Sequence, residues 1–405
     1  MRILVIGGGA SGFMAAITAK RLSPGASVII AEKNDRVLKK ALATGNGRCN
    51  ITNRLVSPES YNRNAASFVR QALKRFGFSD AERFFLSIGI PVEIEDEGRA
   101  YPMSRQASSV VDMLRAEAAR LGIEERASFG INSFKRHGKS FLAVSDKGTV
   151  ACDRIILSAG SASGGGSRSG YSLAESVGHS ITPLFPSIVQ LKSEDARPLH
   201  GIKFEGRASI YINSKEIESK TGEILFTEYG LSGPPVMHLS RHASGFFAKQ
   251  RRGEAFMSFD LLPDLEYVGL YEMLRHRRAS LKELSAELFL VGLINKKLSL
   301  ALMKRAGASL AGRICDLSDE TIGSIARIMK GWRFNIQGVM PFGNSQATAG
   351  GIALNEIEPS TMESRKNKGL FITGEIADVD GICGGYNLHW AWASGFIAGS
   401  CAVKG

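Results

Sequence analysis

Gly7, Gly9 and Gly12 stand in a Gly-x-Gly-x-x-Gly frame, and the chemistry open to that spacing is the cradling of an anionic pyrophosphate by backbone N–H groups. Gly7 permits a tight turn, Gly9 lets N–H groups approach the phosphates, and Gly12 lets a helix pack closely on a strand. Ala10 and Ser11 fill out the loop at the positive end of that helix. Glu32, with Lys33 beside it, follows Gly12 by about 20 residues, where a carboxylate accepts hydrogen bonds from ribose hydroxyls and repels a 2′-phosphate. This selects the adenosine of FAD or NAD over that of NADP. A second set of residues can move protons. His389 has the acidity for general acid–base work, Tyr386 lies in the same segment, and Cys49 sits beside Arg48, whose charge can lower a thiol pKa. Arg48 itself can neutralise a pyrophosphate or a reduced flavin.

A βαβ unit must position the glycine loop. Arg2 to Ile6 reads as a strand, Phe13 to Lys20 as an Ala-rich helix, and Val28 to Glu32 as the returning strand. Helical character over Arg36–Ala41 runs into Thr44-Gly45-Asn46-Gly47-Arg48-Cys49-Asn50-Ile51-Thr52-Asn53, a loop whose Gly and Asn residues suit wrapping around a ligand. Two short helices follow, the second opened by the capping-box pattern Ser79-Asp80-Ala81-Glu82. Gly98-Arg99-Ala100-Tyr101-Pro102 breaks the chain before a helix over residues 107–120. From Ser128 to Leu157 the period changes to two, with turns at Arg136-His137-Gly138-Lys139 and Asp146-Lys147-Gly148, which predicts a β-meander. Ile155 to Leu157 is a buried strand leading through Ala159 and Gly160 into the turn Gly164-Gly165-Gly166-Ser167.

Residues 191–262 are strand-rich and 263–332 helical, with Ser280-Leu281-Lys282-Glu283 as a further capping box. They read as an insertion between a first part of a dinucleotide-binding domain, residues 1–190, and its second part within 333–405. That second part holds the strand Gly369–Ile372, then Thr373-Gly374-Glu375, Asp378-Val379-Asp380-Gly381 and Gly384-Gly385-Tyr386-Asn387, which opens a final helix from His389 to Ala398. Glu375 can bind ribityl hydroxyls, and the helix amino terminus can face a flavin pyrimidine and stabilise negative charge on the reduced ring.

A length of 405 residues and 44% hydrophobic content support two or three domains with ample cores. No apolar run is long enough to span a bilayer and the first residues already form a core strand, so no signal peptide is expected and a cytoplasmic location is. The five cysteines form no C-x-x-C pair, so neither a zinc site nor a redox dithiol is signalled and no metal is expected. The net charge of +12 is diffuse. Its runs at Lys249-Gln250-Arg251-Arg252, Arg275-His276-Arg277-Arg278 and Lys296-Lys297 read as solvated helix faces or turns, which favours a small-molecule partner over nucleic acid.

The Thr44–Asn53 loop, Gly98–Pro102, Ala349-Gly350-Gly351-Ile352 and the closing segment from Thr373 to Gly395 resemble the BaiN-like (YhiN-like) FAD-dependent oxidoreductases along the whole chain, a family that includes aminoacetone oxidase-like flavoproteins. The resemblance implies an α/β fold: a Rossmann-like FAD domain of the two-dinucleotide-binding type with a βββ-meander, an inserted β-barrel and a small helical subdomain covering the flavin. It implies FAD held by both chain ends, and hydride transfer through flavin N5 in enone reduction or amine oxidation. It also places Glu228–Pro235, which reads as the most loop-like segment of the insert, near the flavin, and Thr227 or Ser232 are candidate hydrogen bonders there. The closing motif departs from the family at His389, where Gln is usual, and at Cys383, where Thr is usual. No second complete glycine fingerprint follows a strand, so NAD(P)H is expected only as a transient electron donor and an oxidase remains open. Two further readings stand beside these, a flavoprotein acting on RNA and a flavin-binding redox partner without turnover of its own.

Overall fold

In the computed structural model, which describes residues 1–166, 168–249 and 252–404, the chain divides into two compact units, Met1–Phe185 with Ala347–Gly405, and Pro186–Gln346. Ser167 of the glycine turn and Gln250-Arg251 of one basic run lie outside the described residues.

The first unit opens with β1 (Arg2–Ile6), α1 (Ala10–Leu22) and β2 (Ser27–Ala31). Both strands are buried beyond their first residue, as Val/Ile-rich strands covered on both faces must be. The helix expected over Arg36–Ala41 shrinks to α2 (Lys39–Leu42). The cause is local: the Leu38 N–H donates to Gly8 O at 2.7 Å, which draws this segment across the glycine loop and forces Leu38 to φ +56°. Next come β3 (Thr52–Asn53), α3 (Ala66–Arg75), α4 (Phe78–Ser87), β4 (Val92–Ile94), β5 (Arg99–Pro102), α5 (Ala107–Arg120) and β6 (Glu124–Arg126). α4 starts ahead of Ser79, because Gly77 is the N-cap and the Asp80 carboxylate accepts its N–H at 2.8 Å. The meander is β7 (Ile131–His137), β8 (Ser140–Ser145) and β9 (Gly148–Cys152), turning at both predicted places. β10 (Arg154–Leu157), α6 (Ser169–Ser176) and β11 (Phe185–Ser187) follow.

The second unit holds β12 (Leu191–Lys192), β13 (Lys203–Ile212), β14 (Lys215–Thr227), β15 (Gly230–Ser232), α7 (Pro234–Ala248), β16 (Ala255–Asp260), α8 (Tyr267–Ser280), α9 (Lys296–Arg305), α10 (Asp319–Lys330), β17 (Trp332–Asn335) and β18 (Gly338–Val339). Its strands pair antiparallel in the order β17-β16-β13-β14-β15-β12-β18. The two outer strands are consecutive in the chain. Between them the Ile336 N–H donates to Ala255 O at 2.9 Å and the Gln337 N–H to Lys192 O at 3.0 Å, so one extended segment joins both edges and closes a barrel. Phe226, Phe259, Trp332 and Phe334 pack ring against ring in its buried core.

Two features of this unit differ from the sequence reading. α7 interrupts the strand-rich stretch because Pro234 and Pro235 preset the φ of a first helical turn. Glu228–Pro235 is therefore a tight turn, a strand and a helix start rather than one loop. Ser280 ends α8 instead of capping a new helix, and only the short turn Ala286–Leu288 follows before α9.

The chain returns through β19 (Ala347–Ala349), β20 (Leu370–Ile372) and α11 (Tyr386–Ala402). The first unit's sheet is parallel throughout, in the order β20-β10-β1-β2-β6, so strands from both chain ends flank β1 and its neighbour. α11 begins at Tyr386, ahead of His389, and lies directly on α1. A Cβ at Gly395 would stand 2.4 Å from Ser11 O, and one at Gly399 would stand 2.3 Å from Ala15 O. Two glycines one turn apart thus let the backbones touch. No helix among the described residues is long and apolar enough to cross a membrane.

Candidate functional site

The glycine loop sits between β1 and α1, and its three glycines answer to different constraints. Gly7 has φ +108°, and a Cβ there would lie 2.3 Å from Ser158 O; a Cβ at Gly12 would lie 2.1 Å from Gly7 O. A Cβ at Gly9 would meet nothing within 4 Å. Packing therefore demands glycine at Gly7 and Gly12, whereas Gly9 borders open space. α1 has Gly9 as its N-cap, no side-chain cap and no acid in its first turn, so the N–H groups following it, on Ala10 and Ser11, are free of intrahelical partners. This is an anion-binding helix start. Ala159 and Gly160, beyond β10, border the same loop, where Ser158 Oγ donates to Gly7 O at 2.9 Å.

Glu32 is buried behind the loop. Its Oε2 accepts the Gly8 N–H at 2.8 Å and its Oε1 accepts the Asn34 N–H at 2.8 Å, so the carboxylate holds the loop in shape with part of its acceptor capacity. Lys33 beside it is exposed.

The Thr44–Asn53 segment forms a short 3-10 turn and then β3. Gly45, Asn46, Gly47 and Cys49 all have positive φ, a concentration of backbone strain of the kind found at ligand clamps. Two of its side chains do something other than the spacing suggests. Arg48 is held by Glu95 at 3.0 and 3.2 Å and lies 4.2 Å over the Tyr101 ring, so its charge is already matched within the protein. Cys49 is fully buried, and burial pushes its thiol up to about 11, opposite to the lowering expected from Arg48. Thr44 Oγ1 donates to Ala41 O at 2.7 Å and closes the turn.

The start of α11 meets this segment. Gly385, its N-cap, has φ +97°, and a Cβ there would stand 2.5 Å from Thr52 O and 2.7 Å from Asn50 Oδ1. Asn50 Oδ1 is buried and has no hydrogen-bond partner. Asn387 clamps the preceding turn with both ends of its amide, accepting from Gly381 N–H at 2.8 Å and donating to Gly381 O at 3.0 Å. Asp380 is buried, its backbone paired with Asn62. Tyr386 is nearly buried, its hydroxyl bonded to Ser60, and burial raises its pKa, so the phenol keeps its proton at neutral pH. His389 is fully buried. Its Nε2–H donates to Phe76 O at 3.1 Å, which leaves Nδ1 to accept from Thr52 Oγ1 at 2.7 Å, and burial pushes the imidazole down to about 4. With both nitrogens engaged, His389 is a neutral tie between α11, β3 and the end of α3, not the proton carrier its type suggests.

At β20 the loop Gly374-Glu375 adds a charged cluster. Glu375 bonds Lys40 Nζ, accepts from Ser163 Oγ at 3.1 Å and accepts the Thr348 N–H at 2.8 Å, while Thr348 Oγ1 stays buried without a partner. The Gly374 N–H donates to Ser394 Oγ at 2.9 Å and its carbonyl accepts from the Trp390 indole at 3.0 Å. Lys40, Ser163, Thr348, Thr52, Ser394 and Trp390 were missed by sequence reasoning. Trp390 alone carried a signal, since a buried indole N–H needs an acceptor. In the insert, Thr227 Oγ1 is spent on its own turn, bonded to both the carbonyl and N–H of Gly230, and Ser232 is buried in β15.

A dinucleotide fits what these residues leave open: an uncapped helix start bordered by space at Gly9, and two buried polar atoms, the Asn50 Oδ1 acceptor and the Thr348 hydroxyl, that find no hydrogen-bond partner among the described residues. Comparison with known proteins agrees in class. Residues 1–401 match the HI0933-like protein Rossmann domain. The chain belongs to that family. It is 36% identical to the 3-dehydro-bile acid delta(4,6)-reductase of Clostridium scindens over all of this chain and 99% of that protein. It is 29% identical to the ribosomal RNA dihydrouridine synthase of Escherichia coli, covering 98% of this chain and 96% of that one. Among solved structures, the 3-ketosteroid delta1-dehydrogenase of Sterolibacterium denitrificans shares the fold with a TM-score of 0.54 at 11% identity, over 99% of both chains. As a member of this family the chain is a flavoprotein oxidoreductase.

Proposed function

We propose that this HI0933-like chain is an FAD-dependent reductase of carbon–carbon double bonds conjugated to a carbonyl. The observation that carries the reading is the presence, within one unit, of two uncapped helix starts from opposite chain ends, α1 behind Gly9 and α11 behind Gly385, on helices packed together through Gly395 and Ser11. Ala10 and Ser11 N–H groups would hold the pyrophosphate, with Glu32 behind them for the adenosine ribose. Asn50 and the start of α11 would hold the pyrimidine edge of the ring. Bound FAD supplies hydride exchange at N5. Tyr386, a phenol that holds its proton at neutral pH, is a group of this chain suited to deliver a proton to the carbon next to the carbonyl. The name of the 36%-identical relative specifies reduction of double bonds conjugated to a 3-oxo group.

A second reading concerns the same type of bond. In uridine the reducible double bond is conjugated to the ring carbonyl, and relatives named ribosomal RNA dihydrouridine synthases in Escherichia coli and Haemophilus influenzae align along nearly the whole chain. The test of both begins with yellow holoprotein reduced under anaerobic conditions. Rapid reappearance of oxidised flavin absorbance on adding a 3-oxo-Δ4,6 steroid acid supports the first reading, and the same with uridine-containing RNA supports the second. Reoxidation by neither, with turnover of amines and oxygen instead, makes the protein an oxidase. Anaerobic bleaching by NADH or NADPH identifies the electron donor.

A further inference from the structure

We infer that the exposed face of α9 docks the phosphate backbone of an RNA. This rests on the second reading above and names how such a substrate would be gripped. α9 buries Leu298, Ser299, Leu302 and Met303 and exposes Lys296, Lys297, Lys304 and Arg305, so every charge it carries is positive. None of these four forms an ion pair among the described residues; Lys297 Nζ reaches only the carbonyl of His200, at 3.3 Å. Several basic residues of the neighbouring segments are paired, although Arg277 of α8 reaches only carbonyl oxygens. Arg278 is paired with Asp319, Arg313 with Glu283 and Lys330 with Asp260. α10 also places Asp319 and Glu320 in its first turn, as the helix dipole favours. α9 does the reverse, with Lys296 and Lys297 at its positive end, where the backbone repels them. Asn295 caps this helix start but carries no charge, so the exposed lysines there are left to an anion outside the chain.

Geometry chooses the kind of anion. The pairs Lys296/Lys297 and Lys304/Arg305 lie about 12 Å apart along the axis at 1.5 Å per residue. The pairs are spread along the helix axis, and a backbone with a charge about every 3.4 Å per strand places several phosphates along that length. The net charge of +12 adds a long-range attraction for such a polymer.

The test compares holoprotein with the quadruple variant K296Q/K297Q/K304Q/R305Q, since Gln keeps helix propensity and removes charge. A fluorescein-labelled hairpin RNA with a uridine-rich loop is titrated at several salt concentrations. Binding by the wild type with steep salt dependence, and an affinity at least about tenfold lower with a log–log salt slope reduced by about 3 in the variant, is the expected result. An unchanged slope in the variant, no binding by the wild type at low salt, or binding to phosphatidylserine vesicles in place of RNA overturns the proposal. Thermal midpoint and flavin content report whether the variant is folded. Reoxidation of its reduced flavin by a free steroid enone is read separately, so failure of the reductase reading leaves the RNA titration decisive on its own.

Discussion

Two helix starts of the insert and two of the first unit are built to opposite specifications. α9 and α10 in the insert are closed by their own sequence: Asn295 Oδ1 accepts the N–H groups of Lys297 and Leu298, and Ser318 Oγ accepts that of Thr321. α1 and α11 are capped by Gly9 and Gly385, which offer no side chain, and neither has an acid in its first turn. An unsatisfied helix start costs stability unless water or a ligand fills it. α9 and α10 spend residues on finishing their starts, unlike α7 and α8 of the same unit, and α1 and α11 in the first unit stay unfinished.

That contrast can be broken by substitution. The largest effect is expected at Gly395→Ala, where the new Cβ would press on Ser11 O: α11 must move off α1, costing about 3 kcal/mol and lowering the thermal midpoint of apoprotein and holoprotein alike. A variant as stable as wild type would show that the helices do not rely on backbone contact. Gly9→Ala adds a Cβ to open space, so the apoprotein should melt like wild type while FAD affinity, followed by flavin fluorescence, falls about tenfold. Equal loss of stability in the apoprotein would place Gly9 with Gly12 as a packing residue.

Acid sensitivity tests the tie made by His389 next. Burial holds His389 at about 4, against about 6.5 for a free imidazole, so the unfolded chain takes up a proton that the folded chain refuses between those values. Stability should be level above pH 6.5 and fall by up to about 1.4 kcal/mol per pH unit below it. His389→Gln should flatten that limb in urea titrations at pH 5 and 7. The smallest effect is expected from Ser318→Ala, which removes a cap for about 1 kcal/mol and leaves flavin binding untouched, as equilibrium unfolding with flavin titration would show.

Much of the fold was legible because it is written locally. The βαβ start, the period-two meander and the strand before Gly374 each depend on neighbours within a few residues. What the sequence did not reveal depends on partners far along the chain. Arg48 reads as a free cation until Glu95 on the next hairpin is seen beside it. Cys49 reads as activated by Arg48, yet the burial that opposes ionisation comes from the tertiary fold. The Lys40–Glu375 pair joins residues from opposite ends of the chain, and no spacing rule links them. His389 is the clearest case. Its type suggested acid–base chemistry, and only Thr52 and Phe76, contributed by other elements, turn it into a fixed tie.

The stretch Ile336-Gln337 has a consequence for handling the protein. Because it serves as the seam of the insert's barrel, a single proteolytic nick there would free two strand rims at once, each with unsatisfied N–H and C=O groups able to recruit the rims of other molecules. Loss of solubility after limited digestion would therefore trace to one cut, and the same stretch is the wrong place to open the chain for a circular permutation.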